Sequence, residues 1–146
     1  MSANTARPQD HGLAADELLA SEDSLVVASG GRVILRGNGP GIKPIMEARE
    51  VLGDGFVGAA VADRVVGMAA ALFLHEAGVS SVFGEILSEH ARDYLVESGI
   101  YVEGETVVPH ITNRRGDDLC PLERIAVENP DPEEARSRIR EFLADS

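Results

Sequence analysis

The chain alternates between short apolar runs and polar, glycine-rich breaks, and the period of each run predicts an element. Leu13, Leu18 and Leu19 in "LAADELLAS" predict an opening helix behind a polar tail, residues 1–12, expected to be disordered. "SLVVAS" and "RVILRG" are β-rich. The "SGGR" between them signals a hairpin, because Gly30 and Gly31 adopt positive φ without a Cβ clash. After the turn "GNGPGIKP", the segment "PIMEAREVL" reads as a helix with Pro44 in its first turn and Gly53 at its end. "GFVGAAVA" has the character of a buried strand. "DRVVGMAAALFLHEAG" then predicts a central helix, apolar nearly all round, starting at Asp63 and stopping at Gly78.

The second half keeps the alternation. "VSSVFGEI" predicts a strand, "SEHARDYLVESG" a helix between a Ser88 cap and Gly99, "IYVEG" a strand, and "TVVPHI" one more. The loop "TNRRGDD" leads into a helix from Pro121 to Val127. "DPEEARSRIREFLA" is a closing helix, acids first and arginines later, as the macrodipole favours. This order predicts a single domain over residues 13–146 with a three-layer α/β/α sandwich, its mixed sheet opened by an antiparallel hairpin. At 146 residues the chain is long enough for one substantial core.

Composition narrows what such a domain binds. Thirteen basic residues stand against 25 acidic ones, a net charge of −12, and no basic run is dense enough for a nucleic-acid footprint. No apolar stretch reaches the roughly 20 residues of a membrane span. "MSANTARPQDHG" lacks the apolar stretch of a signal peptide, so a cytoplasmic location is expected. His11, His75, His90 and His110 form no ligand spacing with one another or with Cys120, and no HxE precedes a PCxxC, so neither a metal nor another cofactor is expected.

Two places carry candidate chemistry. The turn "GNGPGIK" fails the phosphate-loop spacing, because Ile42 separates Gly41 from Lys43. Its glycines still fit a strand-to-helix turn, and free amides there beside Lys43, the only lysine, would suit an anion. The sole cysteine, Cys120, precedes Pro121 and therefore stands at a helix N-cap, where amides and the macrodipole favour a thiolate. Arg114 and Arg115 push the same way, whereas Asp117 and Asp118 push back or accept a proton. A buried thiol acting as a small hydrophobe fits the same pattern. Asp63 and His110 are the nearest general-base candidates.

"GPGIKP", "VADRVVGMAAA", "SEHARDYLVESGI" and "VPHITNRRGDDLCPLE" together resemble the family known as domain of unknown function 1893, from about Leu13 to Leu143. The resemblance implies a cytidine-deaminase-like fold without the deaminase zinc ligands. Its motif residues fall on Lys43, Asp63, Asn113, Arg114, Gly116, Cys120, Pro121 and Glu123, with Met68 where a lysine is expected. By analogy with that fold, Asp63 and Cys120 would face one cleft from two helix starts.

Two functions are compatible with these residues. One is a metal-independent enzyme with Cys120 as nucleophile and Asp63 as acid or base. Lys43, Gly41, Asn113, Arg114 and Asp118 would then hold a small anionic or nucleotide-like substrate. The other is a non-catalytic module that binds such a ligand, alone or in a larger assembly. The apolar run "VVGMAAALFLHEAGV" fits a core or an interface between copies equally well.

Overall fold

The fold is seen in a computed structural model that describes residues 7–113 and 115–145. Strands β1 (Leu25–Ser29), β2 (Arg32–Gly37), β3 (Ala60–Val66), β4 (Ser81–Ser88) and β5 (Tyr101–Val108) form an open sheet in the order β2-β1-β3-β4-β5. β1 is antiparallel to both of its neighbours, while β3, β4 and β5 run parallel. Parallel neighbours need long crossovers, and helices supply them. The helices among the described residues are α1 (Gln9–Leu19), α2 (Lys43–Leu52), α3 (Met68–Ala77), α4 (Glu89–Glu97), α5 (Pro121–Glu128) and α6 (Pro132–Ala144).

Strand alternation sorts the core into two layers. Leu25, Val27 and Val61 face a large cluster built with Ile45 of α2, Leu72 of α3, Leu95 of α4, Ala126 of α5 and Ile139 of α6. Val26, Ala28, Ala60, Ala62 and Phe83 face the smaller cluster under α1. The chain is therefore α/β, with one helix on one side of a mixed sheet and five on the other. Among the described residues no helix is long and apolar enough to cross a membrane.

Local signals for caps and turns hold where they rest on neighbouring residues. Gly30 and Gly31 turn the hairpin at φ 63° and 82°. Ser88 Oγ accepts the Ala91 N–H at 3.1 Å, and Asp131 Oδ2 accepts that of Glu134 at 3.0 Å, each capping its helix.

Three expectations need correction, each because of a contact distant in sequence. The tail expected over residues 1–12 is ordered from Gln9 as the first turn of α1; residues 1–6 lie outside the described part. Fully buried His11 packs edge-on against Tyr101 and Phe83, and the Asp10 carboxylate accepts the N–H groups of Gly30 and Gly31, pinning that turn to the hairpin. "IYVEG" and "TVVPHI" are largely one strand, β5, paired with β4 from Tyr101 to Val108.

The third correction matters most for the site. Asp63 does not start a helix: Gly53–Phe56 is a 3₁₀ turn, β3 runs from Ala60 to Val66, and α3 begins only at Met68 behind Gly67. β-branched Val65 and Val66 extend the strand, paired with Ile86 and Leu87. Arg64 fixes the register on the α1 side, donating to the carbonyls of Leu18, Ser21 and Asp23 at 2.6 to 2.9 Å and to Glu85 at 3.2 Å. Asp63 consequently points to the opposite face, in register with Leu25 and Gly84.

Candidate functional site

A cavity of about 280 Å³ opens at the edge where β3 ends, the edge at which open α/β sheets bind ligands. Its wall is made of Ser24 before β1, the turn Gly39–Ile42 after β2, Asp63–Val65 of β3, Gly67, Ala69 and Ala70 at the start of α3, and Ile111 with Cys120, Leu122 and Glu123 around the start of α5. Three helix N-caps meet here, Ile42 of α2, Gly67 of α3 and Cys120 of α5, and none of them supplies a side-chain cap. In α2 the Lys43 N–H donates to Pro40 O and Pro44 has none to offer, whereas the first turns of α3 and α5 keep the N–H groups of Ala69, Ala70, Leu122 and Glu123 without a partner among the described residues. Gly41, in that wall, turns the chain into α2 at φ 58°.

Asp63 is buried, with 6% of its surface exposed. No side chain of the described residues pairs with it; its register neighbours are Leu25 and a glycine. Burial pushes its carboxyl up to about 7, and the N–H groups of Arg64 and Val65 counter this only in part. A carboxyl with such a pKa exchanges its proton at neutral pH.

Cys120 is half-buried and stands at the N-cap of α5 as the sequence implies; its own N–H donates to Ile111 O at 2.9 Å. Asp63 and Cys120 therefore share a cavity, from a strand and a helix start rather than from two helix starts. They make no hydrogen bond to each other, which leaves the space between them to a ligand.

Glu123, which sequence reasoning left out of the site, holds the cavity together. It is 2% exposed, and its two carboxylate oxygens accept the N–H of Met68 at 2.7 Å and of Ile111 at 2.9 Å. It caps α3 in place of Gly67 and ties α3, α5 and the segment after β5 into one unit. Gly67 must lack a side chain, because a Cβ there would lie 2.8 Å from Ile111 Cγ1 and 2.9 Å from Glu123 Oε1. The spacing Cys120-x-x-Glu123 imitates a capping box, a signal that could have marked Glu123.

The remaining expected site residues lie elsewhere. Lys43 is exposed in the first turn of α2 and is not part of the cavity wall. Asn113 and Asp118 build their own loop instead. Asn113 Oδ1 accepts the N–H of Gly116 at 2.8 Å and Asp118 Oδ1 that of Leu119 at 2.7 Å, with Arg124 at 2.6 Å. Arg114 lies outside the described residues. His110, the other general-base candidate, is exposed and stacks on His90 at 5.9 Å between ring centroids, away from the cavity wall. Among the described residues no three of His, Cys, Asp and Glu cluster in a way that could hold a metal ion.

A family model for a domain of unknown function (DUF1893, TM1506) matches residues 14–143. The crystal structure of a DUF1893 family protein (TM1506) from Thermotoga maritima is similar, with a TM-score of 0.80 and 26% identity, over 99% of this chain and 100% of that one. No curated protein matches.

Proposed function

The chain belongs to the DUF1893 family, and from the cavity its own residues build we propose that it is an enzyme acting on a small molecule, with Asp63 exchanging the proton and Cys120 supplying the nucleophile. The observation that carries this is the placement of a buried carboxyl, without a side-chain partner among the described residues, and the sole thiol on the walls of one cavity where three helices start. A carboxyl confined there costs stability, and packing alone gives no reason to keep it. The backbone amides favour a ligand with an electronegative group; an anionic substrate would depend on them, since Lys43 stands off the wall. A deaminase-like ancestry fits a cavity bounded by helix starts but assigns no residue a role.

The test is alkylation of Cys120 by iodoacetamide against pH, in the native protein and in Asp63→Asn. A thiol that reacts fast when native, with an inflection near pH 7 that Asp63→Asn removes, supports the reading. A thiol that reacts only on unfolding sinks it. The second reading, a non-catalytic binding module, then takes over; it is favoured by the lack of any hydrogen bond between Asp63 and Cys120.

A further inference from the structure

The walls of the cavity narrow the substrate class. Among the described residues the only basic one in the wall is Arg64, whose guanidinium is already held by the carbonyls of Leu18, Ser21 and Asp23 and by Glu85 on the other side of the sheet. Ile42, Val65, Ile111 and Leu122 make much of the rest apolar. A ligand with full negative charge finds no counter-ion side chain there among the described residues. Besides the Ser24 hydroxyl and the thiol itself, the donors on offer are backbone N–H groups. Glu123 takes that of Met68, while those of Ala69 and Ala70 in α3, and of Leu122 and Glu123 in α5, have no partner among the described residues. Such amides stabilise negative charge that appears on an oxygen during a reaction, and they need no charged ground state.

We propose that the cavity carries out acyl transfer from a small uncharged ester or thioester to Cys120, with the carbonyl oxygen seated on the amides of α3 and α5 and Asp63 carrying the proton. This rests on the functional reading above and names its substrate class. The buried carboxyl of Asp63, free of any side-chain partner among the described residues, is the observation that makes the helix starts and the thiol more than a cap. In the first half, the Asp63 carboxylate takes the thiol proton, relayed across the cavity by water. The sulfur forms a bond to the carbonyl carbon, and the oxygen's charge rests on the amides. Collapse then breaks the bond to the leaving alcohol or thiol, which departs with the proton from Asp63. In the second half a water attacks the thioester, giving up a proton to Asp63. The carbon–sulfur bond breaks, the carboxylic acid leaves, and the thiolate recovers the proton from Asp63.

The probe is p-nitrophenyl acetate, read by release of p-nitrophenolate and by acetyl gain on the Cys120 peptide in mass spectrometry. The native protein is expected to acetylate Cys120 at pH 7 at least about tenfold faster than the urea-unfolded chain. Asp63→Asn should lose that excess and the inflection near pH 7 while melting as a folded protein. Cys120→Ser should lose the adduct and the rapid release. Acetylation no faster than in the unfolded chain, or equally fast in Asp63→Asn, overturns the proposal. If iodoacetamide still shows an Asp63-dependent thiol, only the substrate class has failed; if that dependence is absent as well, the enzyme reading fails with it.

Discussion

Replacing Asp63 by Asn should stabilise the protein, and by an amount that depends on pH. Asp63 is buried in an apolar setting that raises its carboxyl from 3.8 in the unfolded chain to about 7 in the fold. Between these values the folded protein holds a proton that the unfolded chain has released, so stability falls as pH rises. The loss runs at about 1.4 kcal/mol per pH unit over roughly three units, about 4 kcal/mol in all, and levels off above the folded pKa. Below about pH 4 the group is neutral in both states and the contribution unfavourable to folding disappears.

Asn has nearly the same shape as the neutral acid and no charge to bury. Urea unfolding of both proteins from about pH 4 to about pH 8 measures the difference directly. The advantage of Asp63→Asn should be smallest at the acid end, grow through neutrality and reach about 4 kcal/mol at the alkaline end, equivalent to a melting shift of roughly 10 °C. A difference that does not change with pH, or a variant less stable than the parent at about pH 8, would refute the burial argument, because either outcome means that Asp63 is solvated or paired when ionised.

Other substitutions test the frame around the cavity. Glu123→Ala strands the N–H groups of Met68 and Ile111 and should cost about 3 kcal/mol in urea unfolding, with Glu123→Gln losing less because one amide oxygen still accepts. Gly67→Ala drives a methyl against Ile111 Cγ1 and Glu123 and should cost about 1 to 3 kcal/mol, a penalty smaller when introduced into Ile111→Ala, which removes the clashing Cγ1. His11 titrates in the opposite sense to Asp63. Burial lowers its pKa, opposed by Glu103 on its Nε2, with Arg7 adding to the lowering, while its Nδ1 is buried without a partner among the described residues. Its contribution is present above about pH 6.5 and is lost as pH falls through the lowered folded value. His11→Phe, which keeps a ring against Phe83 and Tyr101, should flatten the acid limb of the stability curve; an unchanged limb would remove His11 as its cause.

The parts of the fold legible in the sequence are those set by residues close in the chain. The Gly30-Gly31 hairpin, the Ser88 and Asp131 caps and the Cys120-Pro121 helix start each depend on two to four neighbouring residues. Asp63 was misplaced for a physical reason: an Asp before an apolar run is a valid N-cap signal, and what overrides it is Arg64 binding carbonyls more than 40 residues away. Glu123 falls on the family's motif, but its role is not legible in the sequence because its partners lie 55 and 12 residues distant. The polar cluster from Asn113 to Asp118 looked like a site because its residues are hydrogen-bonding types. Asn113, Gly116 and Asp117 bond to one another, Asp118 to Leu119, and the Thr112–Leu119 bridge closes the loop.

The two buried carboxylates of the cavity make the remaining argument by contrast. Glu123 has both oxygens on backbone N–H groups, and removing it would leave those groups unsatisfied, so its presence follows from packing alone. Asp63 has only the amides of the next two residues and a wall open to the cavity, and a neutral isostere would serve the fold better by about 4 kcal/mol above neutral pH. A structural explanation therefore accounts for one carboxylate and fails for the other. Strain of this kind, confined to a group facing a cavity and absent from the group behind it, is the pattern expected where activity is kept at the expense of stability. The same Asp63→Asn variant separates the cases: a gain in stability together with a loss of thiol reactivity at Cys120 makes the strain functional, while a gain with unchanged reactivity makes Asp63 a buried acid without a task.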